Sequence, residues 1–93
     1  MLELNLSKQS GKFLKSLKGS KQGRQIRQKI EALLEDPYPN DSILMKNAED
    51  YHRADIGEYR IIYRVEAKKE LQVKIVAQRN DSKVYKLFDR ARK

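Results

Sequence analysis

The sequence predicts an α+β domain of two layers, with helices packed against one face of a four-strand sheet. Three observations carry this. Between Ser7 and Glu35 the apolar residues recur at helical spacing. After Pro37 and Pro39 the period changes to two, the signature of half-buried strands. The later strands are joined by hairpin-length connections, so they pair antiparallel, and the helices must bury their stripes on one face of the sheet they form. A length of 93 residues suits one domain, 1–93.

The chain opens with "LELNL", in which Leu2, Leu4 and Leu6 alternate with Glu3 and Asn5, a short N-terminal strand. Ser7 stands where an N-cap belongs, Phe13, Leu14 and Leu17 follow at helical spacing, and Gly19 closes this first helix. A second helix over Ser20 to Glu35 carries Ile26, Ile30, Leu33 and Leu34 as one stripe, with Lys21, Arg24, Arg27 and Gln28 facing away from it. "EDPYPND" ends it, because proline cannot continue a helix and Asn-Asp favours turns. "ILMK" is a short extended piece, and "YHRADI" reads as a strand running to Gly57. "EYRIIYRVE" places Tyr59, Ile61, Tyr63 and Val65 on one face and Arg60, Ile62 and Arg64 on the other. The polar "AKKE" connects it to "LQVKIVAQR", the last strand of a three-strand meander. The tail predicts a short helix capped by Asp81 or Ser82, with Val84, Leu87 and Phe88 on its apolar side.

Composition narrows the function. There is no cysteine, hence no disulfide framework and no thiolate metal site, and no stretch approaches transmembrane length. The expected compartment is the cytoplasm, with no membrane partner. The formal charge is +8, from 21 Lys+Arg against 13 Asp+Glu, which favours an anionic partner. The charge is also segregated. Lys8 to Ile30 holds basic residues and no acid, the segment from Lys74 onward, including Lys83, is again basic, and the acids gather between.

The familiar catalytic constellations are missing. A single histidine, His52, gives no pair for acid–base work, and the sequence holds no nucleophile elbow, phosphate-binding loop or dinucleotide fingerprint. Glu49, Asp50 and Asp55 form a local acidic patch that reads as a solvated loop, not a metal site, since hard cations need convergent oxygens. No metal or cofactor is expected. An enzyme here must rely on arginine, lysine and tyrosine, a set suited to RNA cleavage by its own 2′-hydroxyl. That reaction passes through a phosphorane with extra negative charge. Guanidinium groups can stabilise it, and a tyrosine or lysine can move the proton.

"YHRADIGEYRIIYRVE", followed by "LQVKIVAQRNDSKVY", resembles the RelE/ParE toxin superfamily, the RelE branch in particular. The pieces are Arg53, then Gly57-Glu58-Tyr59-Arg60-Ile61-Ile62-Tyr63, then Arg79, then Tyr85, and the element order agrees along the whole chain. The resemblance implies a toxin of a toxin–antitoxin pair that cuts mRNA in the ribosomal A site, blocked by a cognate antitoxin that brings it indirectly to operator DNA. It implies a phosphate-stabilising role for Arg60, a second arginine in Arg79, a base-stacking or proton-transferring Tyr85, and a basic contribution from Arg53. Lys46 lies where relatives carry a lysine. His52, Lys21, Arg24, Arg27 and Lys83 are further candidates for RNA or ribosome contact. The net charge predicts an acidic antitoxin. A ParE-like inhibitor of DNA gyrase, and a weakly catalytic member that acts mainly by binding its antitoxin, are the alternatives.

Two features depart from the pattern. Relatives carry a second basic residue two positions after the first, where this chain has Asp55. And Arg79 continues the register of Leu71, Val73, Ile75 and Ala77, which should face the helices. It joins Arg60 only if the strand ends or a bulge re-aims it.

Overall fold

The computed structural model describes residues 1–46, 48, 50–79 and 83–92, with the side chains of residues 83, 91 and 92 excepted. The element order is β1 (Glu3–Leu6), α1 (Lys8–Ser16), α2 (Lys21–Glu35), β2 (Ser42–Leu44), β3 (His52–Ile56), β4 (Tyr59–Glu66), β5 (Glu70–Gln78) and α3 (Lys83–Arg92). They form an α+β fold around one sheet, in the order β1-β5-β4-β3-β2. β1 runs parallel to β5, and the other neighbours are antiparallel. The sheet therefore has five strands, not the four expected. The "ILMK" piece joins as β2, a three-residue edge pairing Ser42–Leu44 with Ala54–His52. The expected Asp81 or Ser82 cap, and Glu49 of the acidic patch, lie outside the described residues.

The helix starts follow from their caps. Ser7 and Ser20 sit in extended backbone, and their side chains accept from the N–H groups of Ser10 and Gly23. The α1–α2 turn is tight, and a Cβ on Gly23 would lie 2.5 Å from the Leu17 carbonyl oxygen. Only glycine fits that approach. Leu14, Ile26, Ile30 and Leu33 meet Ala54, Ile61, Tyr63, Leu71, Val73 and Val76 in the main core. Leu4 and Leu6 remain exposed, and among the described residues no strand pairs with the free edge of β1.

α3 covers the middle of the opposite sheet face. There Val84 and Phe88 pack on Ile62, Ile75 and Ala77, joined by Ala48 and Tyr51. β5 thus contributes Leu71, Val73 and Val76 to one core but Ile75 and Ala77 to the other. A bulge makes the switch: Ile62 pairs with Ile75 and Tyr63 with Val73, so Lys74 has no partner in β4. The start of α1 holds the bulge from the side. Ser7 Oγ donates to the Lys74 carbonyl and Ser10 Oγ to that of Val73. The Gln9 side-chain amide both donates to and accepts from the Val76 backbone, at 2.8 and 3.0 Å. Past the end of β1, a side chain thus stands in for the missing strand.

Candidate functional site

The β3–β4 hairpin turns through Gly57 and Glu58, with Gly57 at φ +59°. That places Asp55 directly opposite Arg60. Since Ala54 and Ile61 face the main core, alternation puts Arg53, Asp55 and Arg60 on the α3 side. The bulge brings Arg79 to the same side. Having passed Lys74, β5 presents Ile75 and Ala77 to α3, and Arg79 continues that register, its backbone N–H bonded to the Glu58 carbonyl at 2.8 Å. The parity conflict seen in the sequence is resolved in this way. α3 supplies Tyr85.

Four of the residues singled out in the sequence therefore converge. Tyr85 Oη accepts from Arg53 Nη1 at 3.2 Å and from Arg60 Nη1 in a short contact. Arg60 also grips Asp55 in a bidentate pair, Nε to Oδ1 at 2.7 Å and Nη2 to Oδ2 at 3.0 Å. Arg79 Nη1 lies 3.6 Å from Asp55 Oδ2. Hydrogen bonding from Arg60 holds the Asp55 carboxyl below its usual value, with the Arg60, Arg79 and Arg53 charges adding to it and burial opposing. The same pair, Asp55 first, pushes the Arg60 guanidinium up. Beside this cluster lies a cleft of about 530 Å³ between β2 and α3, lined by Leu44, Lys46, Arg53, Tyr85 and Asp89 among others.

Other expected residues lie apart from it. His52 shares the parity of Ala54, so it sits on the helix-facing side, its ring 4.7 Å from that of Tyr38 and 5.9 Å from that of Tyr63. Lys21, Arg24 and Arg27 are exposed on α2, across the sheet from Arg60. The Lys83 side chain lies outside the described ones. Arg64, on the Arg60 face, is tied down by packing: it lies over the Tyr51 ring at 5.2 Å and bonds to Gln72 and Glu66. Both helix starts, and the end of α2, carry charge against the helix dipole, whereas α1 has the favourable Lys15 in its last turn. Neither α1 nor α2 has an acid in its first turn, each opens on a lysine, and α2 ends on Glu35. That distribution costs helix stability.

The sequence marks Asp55 as a departure from the pattern but does not show its partner: it lies at the centre of the cluster, bound to Arg60. The signal was available in the two-residue Gly57-Glu58 turn, which makes residues five apart face each other across the hairpin. Among the described residues no group of three or more His, Cys, Asp or Glu is placed to hold a metal ion. Two guanidinium groups on a phenol, with a third beside their shared carboxylate, can bind a phosphodiester and brace its developing charge. The phenol oxygen, already accepting two hydrogen bonds, keeps its own hydrogen for a further acceptor.

A family model described as "ParE toxin of type II toxin-antitoxin system, parDE" matches residues 5–85. The chain belongs to the RelE/ParE toxin superfamily. Among solved structures it is similar to the archaeal RelE of a RelE–RelB complex from Pyrococcus horikoshii OT3, at 28% identity over 84% of this chain and 94% of that one, TM-score 0.70. The RelB–RelE complex from Methanococcus jannaschii gives 25% identity over 95% and 99% of the two chains, TM-score 0.65. A free E. coli RelE mutant gives 23% identity over 96% of each chain, TM-score 0.75, a likeness of fold. No curated protein matches the chain in sequence. The RelE/ParE assignment agrees with the resemblance carried by the Gly57–Tyr63 motif. No helix among the described residues is long and apolar enough to cross a membrane.

Proposed function

We propose that this RelE/ParE chain is a ribosome-dependent endoribonuclease that cleaves mRNA in the A site by attack of the RNA's own 2′-hydroxyl. The observation that carries this reading is the meeting of Arg53 and Arg60 on Tyr85 Oη, with Arg79 on the same face. In this reading Arg60 braces the phosphorane, Arg53 and Arg79 hold the flanking phosphates, solvent water takes the proton that the attacking 2′-hydroxyl loses, and Tyr85 hands its proton to the departing 5′-oxygen and regains one from water. Lys46 lines the adjoining cleft, which in this reading takes the RNA strand. Guanidinium charge takes the role that a metal has in other nucleases, so no cofactor is required. The basic outer sides of α1 and α2 give sequence-independent contact with ribosomal phosphates. The chain acts as one domain in the cytoplasm.

The partner that restrains it is a RelB-type antitoxin, as in the complexes from Pyrococcus horikoshii and Methanococcus jannaschii. With a net charge of +8 on the toxin, the antitoxin segment that covers it is acidic. Operator DNA is reached only through that complex.

Purified protein added to translating ribosomes should cut mRNA within codons. Arg60→Ala should lower the cleavage rate roughly a hundredfold, about 3 kcal/mol of transition-state stabilisation. Intact mRNA with the unaltered protein rules the reading out. The ParE description of the matching family model favours a second reading, inhibition of DNA gyrase. A supercoiling assay separates the two, because a gyrase inhibitor blocks supercoiling and leaves mRNA whole.

A further inference from the structure

We propose that Asp55 is the built-in counter-ion of this site. Its carboxylate occupies the guanidinium edge of Arg60 that an RNA phosphate needs, so substrate and Asp55 compete for one clamp. The inference rests on the RNA-cleavage reading for the identity of the competing anion.

The geometry carries it in three ways. First, the pair has the form in which arginine binds phosphate: two parallel N–H···O bonds, from Nε at 2.7 Å and Nη2 at 3.0 Å. A carboxylate in that position is a phosphate stand-in of one negative charge. Second, the carboxylate is the partner nearer water. The Arg60 side chain is 12% exposed and that of Asp55 34%. An anion arriving from solvent therefore meets Asp55 before it meets the guanidinium edge. Third, the remaining contacts leave Arg60 few donors. Of five N–H groups, two go to Asp55 and one to Tyr85. Arg79 also turns its Nη1 toward the same carboxylate, at 3.6 Å.

Asp55 has a second consequence for the empty site. Arg53, Arg60 and Arg79 are three cations on one small surface, and the carboxylate lying against two of them offsets their repulsion. The clamp is thus held in place without substrate, at the cost of a competitor within it. A partly exposed ion pair on a sheet surface is weak. An RNA phosphodiester carries the same single charge but arrives with the contacts of its whole strand to Arg53 and Arg79, so it can displace the carboxylate, which then swings toward solvent.

Binding to an uncleavable RNA oligonucleotide, with a 2′-deoxy sugar at the cut position, tests this. Fluorescence anisotropy on the isolated protein gives the affinity, and ribosome assays give the rate. Asp55→Asn keeps the shape and removes the charge; Asp55→Ser is the second variant should Asn disturb folding, checked by thermal melting. Each should bind the oligonucleotide on the order of tenfold more tightly and cut at least as fast as the unaltered protein. The gain should vanish in an Arg60→Ala background, since the coupling runs through that side chain. Unchanged or weaker binding, including no measurable binding by either protein, overturns the proposal. So does a gain that survives Arg60→Ala. If Asp55→Asn binds more tightly through Arg60 and yet no form cuts mRNA, the counter-ion stands and the cleavage reading falls. If the unaltered protein cuts and Asp55→Asn gains nothing, the reverse holds.

Discussion

The two faces of β4 make different demands on one strand. On the helix side Ile61 and Tyr63 are fully buried, with Tyr59 and Val65 packed at the margin of the same core. On the other side only Ile62 is buried, under α3, while Arg60 and Arg64 flank it at the edges of that cover. The apolar face holds the sheet to the helices. The mixed face uses one isoleucine to anchor α3, and so places Tyr85 beside Arg60. Alternation along a strand therefore separates stability from chemistry at a spacing of one residue. Substitutions on neighbouring residues should show that separation.

The largest effect is expected on the helix side. Ile61→Ala removes a fully buried side chain from a core that cannot fully collapse around the gap. The expected loss is about 3 kcal/mol of stability, read from the urea midpoint. Arg60→Ala, one residue away and partly exposed, should shift stability by less than about 1 kcal/mol while lowering the proposed cleavage roughly a hundredfold. A stability loss at Arg60 equal to that at Ile61 breaks the comparison, because the arginine then belongs to the core's economy and not to the site's.

How far this was legible depends on how local each determinant is. The β4 pattern is written in nine consecutive residues, and its two faces follow directly from period two. β5 is a different case. Leu71, Val73, Ile75 and Ala77 alternate without a break, so nothing in the strand marks the bulge at Lys74. Its cause lies 67 residues away in Ser7 and Gln9, which bind the Lys74 and Val76 backbone. The position of Arg79, and with it a quarter of the candidate arginine–tyrosine cluster, hung on that distant contact. β2 was legible only as a short extended piece and not as a fifth strand of the sheet, because a three-residue edge strand with Ile43 and Leu44 exposed has no buried face to give it a period. His52 was placed by its chemistry, whereas its parity with Ala54 assigns it to the opposite face.

Tyr63 sharpens the comparison at high pH. It is buried on the helix side and its hydroxyl donates to the Pro37 carbonyl at 2.6 Å. Burial pushes this phenol up to about 12, from an ordinary 10.0. The folded protein therefore holds the proton more tightly than the unfolded chain. The stabilisation this gives is complete below pH 10, is lost as pH rises from about 10 to about 12, and is absent above. In Tyr63→Phe, which has no such proton, the urea midpoint should fall less across that interval than in the unaltered protein. Near neutral pH the variant should lose about 1 kcal/mol, the contribution of one hydrogen bond. Parallel pH profiles for the two proteins contradict the assignment.

The smallest effect bears on how the two faces are kept in register. Gln9 completes the β5 edge with two hydrogen bonds to Val76, at the point where the bulge has turned Val76 inward and Ala77 outward. In Gln9→Ala the Val76 N–H and C=O must turn to water, which is possible because the contact is only partly buried. The stability loss should be about 1 kcal/mol. The specific sign is at one amide: hydrogen exchange at Val76 should quicken, while that of Ile61, deep between β3 and β5, follows only the global change. The bulge itself should survive, because Ser7 and Ser10 still hold Lys74 and Val73, and cleavage should then stay within a few-fold of normal. A large loss of cleavage with little loss of stability gives Gln9 a different weight. The inward and outward turns of β5 would then rest on that one amide, and the aim of Arg79 at Asp55 would be set from the helix side of the sheet.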